Sequence, residues 1–259
     1  KKACKQRAAE LKDEKLYGQG HERAEGDFCP ICLLAIPFRM NMHSEFRACC
    51  MKKVCNGCGL AGEKRGLSRI CPLCRSPPPK NEAEGLDMVM KRVAAKDPEA
   101  ICHLGTIYNS GGYGLEKDQS HAIKLLYEAA ELGSTEALTK IGVSYYRGSR
   151  GVPHDKAKGI HCWESAAMLG CADSRHFLGI AELEKMNPYR AMRHLLIAAK
   201  MGYEESLDAI KDLFSDGLAT KAQYAEALKG YQDAVEETKS PEREEAANIG
   251  FSSTSNLVY

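Results

Sequence analysis

Glu136-Ala137-Leu138-Thr139-Lys140-Ile141-Gly142 decides the fold, because the chain contains it three times in variant form. It lines up with Glu99-Ala100-Ile101-Cys102-His103-Leu104-Gly105 upstream and with Asp173-Ser174-Arg175-His176-Phe177-Leu178-Gly179 downstream. After a loop and a second stretch of helical period, each copy reaches a matching close. The three closes are Ala129-Ala130-Glu131-Leu132-Gly133, Ala166-Ala167-Met168-Leu169-Gly170 and Ala198-Ala199-Lys200-Met201-Gly202. Units Asp97–Gly133 and Ser134–Gly170 are equal in length, and Cys171–Gly202 has a shorter loop at Met186-Asn187-Pro188. There Asn187 is expected to cap a helix and Pro188 to open it. A fourth, divergent unit runs from Tyr203 to about Thr238, with Ile210-Lys211 and Asp233-Ala234 at the signature positions and Thr220 as the expected cap. Repetition at this period marks a stacked array rather than a single closed core.

The pattern has a packing reason. Small residues such as Ala129, Ala166 and Gly142 let paired helices approach closely, and terminal glycines stop a helix in the left-handed conformation. A helix pair cannot bury its apolar face alone, so units stack. The units resemble Sel1-like repeats, relatives of the tetratricopeptide family, with Gly151-Val152-Pro153-His154-Asp155 matching the Sel1 loop pattern closely. The resemblance implies an α-solenoid with a protein client on its concave face. Before the repeats, Leu86, Val89, Met90 and Val93 share one helical face, expected to cap the array. Cys102, Cys162 and Cys171 read as buried small hydrophobes, and Trp163, aligned with Tyr127, as core. His103, His121, His161, His176 and His194 form no metal-like cluster. Gly111, Gly112 and Gly114 read as turn residues.

The second informative stretch is Cys29 to Cys74, which holds eight of the 12 cysteines. It contains Cys29-Pro30-Ile31-Cys32, Cys49-Cys50, Cys55-Asn56-Gly57-Cys58 and Cys71-Pro72-Leu73-Cys74. The C-x2-C spacing lets two thiolates grip one ion, and eight thiolates make two tetrahedral zinc sites. The competing reading is a disulfide framework, which needs an oxidising compartment, and the chain shows no apolar signal segment. A redox C-x-x-C would not occur three times over. Four thiolates close each site, so neither zinc is expected to be catalytic.

The order of the four groups resembles a RING-type zinc domain, here in an all-cysteine variant. Family cross-bracing implies Cys29, Cys32, Cys55 and Cys58 at site one, and Cys49, Cys50, Cys71 and Cys74 at site two. The commonest RING pattern has a cysteine and a histidine at the second pair, so the adjacent Cys49 and Cys50 depart from it, with His43 as the substitute ligand. PHD- and MYND-like modules fit the spacings less well. The resemblance implies a RING-type E3 ubiquitin ligase. Ile31, Pro72 and Arg75 would contact a ubiquitin-loaded conjugating enzyme, and catalysis would proceed by orientation without a covalent intermediate. Leu60 and Leu67 are the candidate groove residues between the third and fourth pairs, but Gly57, Gly59, Gly62 and Gly66 argue against a long helix there. The alternatives are a non-catalytic zinc-stabilised scaffold and a zinc-dependent nucleic-acid binder. Arg47, Lys52, Lys53, Lys64, Arg65, Arg69 and Arg75 would serve the latter, or simply offset thiolate charge.

The remaining chain sets bounds. The 259 residues suit two domains. A net charge of +1 gives no global field toward nucleic acid or membrane. No apolar run is long enough to span a bilayer, and a soluble protein of a reducing compartment, cytoplasm or nucleus, is expected. The first residue is Lys1, consistent with a fragment or processed product. The expected organisation is mainly α. It comprises a charged, frayed helix at 1–26, the zinc domain at 27–75, a Pro-rich linker at 76–85, the capping helix and solenoid at 86–238, and a disordered polar tail at 239–259.

Overall fold

The computed structural model describes residues 2–67 and 70–251. The array forms as paired helices: α5 (Pro98–Ser110) with α6 (Gln119–Glu131), α7 (Thr135–Arg147) with α8 (Lys156–Met168), α9 (Ala172–Glu184) with α10 (Pro188–Lys200), and α11 (Glu204–Ser215) with α12 (Lys221–Glu236). Sequence punctuates them. The side chains of Asp97, Asp118, Ser134, Asp155, Asn187 and Thr220 each accept a backbone N–H of the helix they precede. These bonds satisfy donors that a helix start leaves orphaned. Pro98 and Pro188 occupy first-turn positions, where a missing N–H costs nothing.

Pairing depends on a small residue at each signature end. A Cβ on Gly142 would lie 2.4 Å from Nε1 of Trp163, and one on Gly159 would lie 2.8 Å from the Gly142 carbonyl oxygen. Helices α7 and α8 therefore touch backbone to backbone, and Trp163 (4% exposed) fills the space beside them. By the repeat spacing Trp163 falls on Leu126, which is likewise buried, rather than on Tyr127, which is exposed. Cys102 is buried, while Cys162 and Cys171 are half-buried.

Helix α4 (Glu82–Ala94) packs on α5, so the Pro-rich linker is shorter than expected and ends at the cap Asn81. Val89 is fully buried in the cluster formed by Ile101, Leu104, Leu126 and Ile141, with Leu86 and Val93 beside it. Met90 points outward instead.

Three expectations of independent or loose parts are corrected. First, helix α1 (Lys2–Gly18) does not fray toward Gly18. Leu16 and Tyr17 are buried, and Asp13 pairs with Arg190 of α10 at 2.5 Å. The Tyr17 ring packs tilted against His194 and lies under Arg193. The fully buried Arg175 donates to the Gln19 carbonyl, and the Ala24 amide donates to Gly170 O. Second, Pro241–Asn248 is a helix, α13, rather than disordered tail, and it packs on α3 (Asn56–Lys64) of the cysteine-rich module. Residues 252–259, including the last apolar residues, lie outside the described part. Third, the cysteine-rich module is not a separate body beyond the linker. The Phe46 ring packs tilted against His103 of α5, Phe38 meets Tyr203 at the start of α11 edge-on, and Arg39 pairs with Glu204 and Glu205. The module therefore rests on α5 and on the start of α11.

Candidate metal centres

Each cysteine group is placed by a local backbone device. Cys29-Pro30-Ile31-Cys32 and Cys71-Pro72-Leu73-Cys74 fold into the same knuckle. The amides of Leu33 and Arg75 donate to the carbonyls of Cys29 and Cys71, at 2.8 Å in both cases. The amides of Cys29 and Cys71 donate onward to Leu34 O and Ser76 O. Leu33 and Arg75 both take the left-handed conformation, at φ 61°. The closing turn brings two sulfurs to one side and leaves the following side chain outside, with Leu33 and Arg75 both exposed. Cys49 and Cys50 sit at the tip of a hairpin of β1 (Ser44–Arg47) and β2 (Lys52–Cys55), in register Glu45↔Val54 and Phe46↔Lys53. Cys55 ends β2, and Cys58 lies in the first turn of α3.

These devices bring together Cys29, Cys32, Cys55 and Cys58 in one cluster and Cys49, Cys50, Cys71 and Cys74 in another. Within each, ligand atoms lie within 4.8 Å of one another. The Cys32–Cys55 and Cys50–Cys71 sulfurs are 3.8 Å apart, and Cys49–Cys74 3.3 Å. Four sulfurs at about 2.3 Å from a tetrahedral ion stand about 3.8 Å apart, far beyond a disulfide's ~2 Å. All described cysteines are free. Both clusters can therefore hold a metal ion, and the donor set suits a thiophilic one. His43 ends α2 (Met40–His43) on the surface and joins neither cluster. Hydrogen bonds from Cys55 and Cys58 hold the Cys29 thiol down, and hydrogen bonds within the same cluster push Cys58 up. Binding an ion displaces the thiol protons.

Packing around the clusters is thin. Ile36 and Val54 are the buried apolar residues between the sulfurs of the first, with Met40 and Leu73 alongside. A module with so little apolar packing is one that bound ions would stabilise. Of the enzyme-contact candidates, Ile31 is 43% exposed, Pro72 is half-buried and Arg75 is exposed. Leu60 is buried and Leu67 is 37% exposed. Helix α3 forms despite its glycines because α13 supports it: a Cβ on Gly57 would lie 2.7 Å from the Arg243 amide nitrogen.

Three of the basic residues face acids of this chain, and Lys52, Arg65 and Arg75 are exposed. Arg47 pairs with Glu45 at 2.6 Å, and Lys64 with Glu245 of α13 at 2.5 Å. Burial raises the carboxyl pKa values of Asp27 and Glu99 with nearby Lys53 opposing the rise, while Lys140 and Lys53 together hold that of Glu136 down. Arg69 lies outside the described residues.

The sequence reading missed Arg243. Its Nη1 donates to Ala35 O (2.6 Å) and Thr238 O (2.7 Å), and its Nη2 to Leu34 O (3.1 Å) and the Cys32 sulfur (3.4 Å). A signal existed: Ser240-Pro241-Glu242 is a helix start, with cap, first-turn proline and first-turn acid.

Fold and clusters together define an α-solenoid of helix-pair repeats carrying a two-cluster cysteine module. The family model for the Sel1 repeat matches residues 98–134, 135–171 and 172–203. The match thus takes in three of the four helix pairs. No RING family model matches. A Sel1 repeat protein from Oxalobacter formigenes is similar in structure, at 24% identity over 66% of this chain and 71% of that one, with TM-score 0.54. So is c5321, a protective antigen of uropathogenic Escherichia coli strains displaying an SLR fold, at 20% identity and TM-score 0.51. That match covers 73% of this chain and 42% of c5321. Both likenesses are of fold. No curated protein matches the chain. No helix among the described residues is long and apolar enough to cross a membrane.

Proposed function

We propose that the chain is a RING-type E3 ubiquitin ligase. Zinc binds the two cysteine clusters, the module recruits a ubiquitin-loaded conjugating enzyme, and the Sel1 repeats hold a protein client. The observation that carries the reading is interleaving. The first and third cysteine groups converge, as do the second and fourth, with a hairpin and helix α3 between them. That is the cross-brace order that the RING resemblance implies. Zinc supplies the cross-links of a module too small to fold on its own core. Ile31 presents an exposed apolar side chain on the first knuckle, and Arg75 an exposed guanidinium beside the fourth group. In this reading Arg75 hydrogen-bonds ubiquitin and conjugating enzyme together, holding the thioester where a lysine amine attacks it. The module already rests on α5 and on the start of α11, so the client binds surface outside those contacts.

The test is autoubiquitination with activating enzyme, a panel of conjugating enzymes, ubiquitin and ATP. Chains are expected from the wild type, with a loss of tenfold or more in Ile31→Ala and Arg75→Ala. No chains from a protein whose native mass carries two zinc ions would favour the second reading, a non-catalytic scaffold. The contact of α13 with α3 supports that alternative, because it covers part of the helix a partner would otherwise meet. Nucleic-acid binding is the weaker reading, since Arg47, Lys53 and Lys64 face acids of this chain.

A further inference from the structure

We propose that Arg243 is an outer-sphere partner of the first metal site, and that through it metal binding docks the C-terminal helix α13 onto the module. The inference rests on the reading that this cluster holds zinc.

Four thiolates around one divalent zinc leave a formal charge of −4 + 2 = −2. That charge lies against Cys29 and Cys55, which are 0% and 1% exposed. Buried charge needs a hydrogen-bonded counter-charge. Arg243 supplies one, with Nη2 3.4 Å from the Cys32 sulfur. The rest of its fork grips Leu34 O and Ala35 O, the carbonyls that follow the first knuckle. One side chain thus reads both a ligand's charge and the shape of the loop that presents it. Hydrogen bonds to metal ligands orient them and tune the site.

The second cluster differs. Cys74 is exposed and its polar partner is the Ser76 hydroxyl at 3.4 Å. Among the described residues, no cationic side chain hydrogen-bonds to a sulfur of that cluster.

Helix α13 depends on this contact. At eight residues it is too short to persist alone in water. Its other ties are buried Ala246, the backbone approach at Gly57, Phe251 over Gly59, and the exposed Lys64–Glu245 pair. An exposed pair contributes little. When the ion leaves, the thiols take protons and the knuckle loses its shape. Arg243 then loses both its anion and its carbonyl cradle, α13 detaches, and the glycine face of α3 is uncovered.

The experiment uses the full zinc-loaded chain, with stoichiometry fixed by native mass. Wild type, Arg243→Ala, Arg243→Lys and the control Lys64→Ala are compared in three measurements. These are zinc release to a colorimetric chelator, amide hydrogen exchange across 241–248, and the thiolate-to-metal charge-transfer band after cobalt substitution. In Arg243→Ala, one of the two zinc ions is expected to leave about 10–100-fold faster while the other keeps its wild-type rate. The amides of α13 exchange at least tenfold faster, those of α5–α10 do not change, and the cobalt band moves to lower energy. Arg243→Lys falls between, and Lys64→Ala stays near wild type. Wild-type zinc release and cobalt band in Arg243→Ala would overturn the outer-sphere role, whatever α13 does. Unchanged α13 protection would overturn the docking. Either result leaves a two-zinc protein standing, whereas a wild type that binds no zinc sinks the inference and the zinc reading together.

Discussion

The cysteine-rich module and the repeat array are built on opposite principles, and they lean on each other. The array holds itself by packing. Gly142 and Gly159 let α7 and α8 meet backbone to backbone, and a continuous apolar cluster runs from Val89 through Leu126 to Ile141. The module has two knuckles, one hairpin and only Ile36 and Val54 buried beside the sulfurs of its first cluster, so in the proposed reading metal ligands hold it together. The difference teaches where each region is vulnerable. Removing an ion should open the module and spare the array, and crowding a helix contact should do the reverse.

The largest effect expected is from metal removal. Structural zinc contributes on the order of 10 kcal/mol to small metallo-domains at neutral pH. A strong chelator should abolish amide protection in residues 27–67 while α5–α10 stay protected and most helical circular dichroism remains. Collapse of the array with the module would show that the two are one cooperative unit.

The converse experiment is Gly142→Val. A Cβ there meets Trp163 at 2.4 Å, so the helices must separate. Overpacking of this kind typically costs about 1–3 kcal/mol. The expected result is a fall in Tm of several degrees with two zinc ions still bound, read by thermal melting and native mass. Loss of zinc would break the contrast.

The smallest effect is acid sensitivity of the array. Burial, with the cations Arg175, Arg190, Arg193 and Lys185 nearby, lowers the pKa of His194 to about 3. Burial lowers that of His103 to about 4. The unfolded chain binds these protons near pH 6.5 and the native chain does not, so stability is complete above pH 6.5 and declines as pH falls toward 3. Tm should drop between pH 7 and pH 5, and His194→Gln should drop less. Equal drops would show that thiol protonation at the metal sites governs acid sensitivity.

The repeats were legible because stacking forces a period. The first three units repeat the same small residue and terminal glycine, so one alignment exposes them, while the fourth is recognised only by its place in the series. The cysteine groups were legible because ligand spacing is local, and the pairs that share a cluster are those the RING resemblance implies. The sequence reading lost α13, although Ser240-Pro241-Glu242 announces a helix. Polar composition was weighed as disorder, and the partner surface that stabilises α13, glycine-rich α3, lies far away in the chain. Phe38, Phe46 and Tyr17 were passed over for the same reason: single aromatics carry no period, and their partners Tyr203, His103 and His194 are distant.

What the sequence determined by itself was therefore everything set by short-range rules: helix pairs, caps, knuckle spacing and the count of metal ligands. Only the tertiary structure decided that the module rests on α5 and the start of α11, that residues 16–24 run against α8–α10, and that Arg243 reaches the Cys32 sulfur. Those contacts join residues far apart in the chain through shape and charge, and neither leaves a local pattern in the sequence.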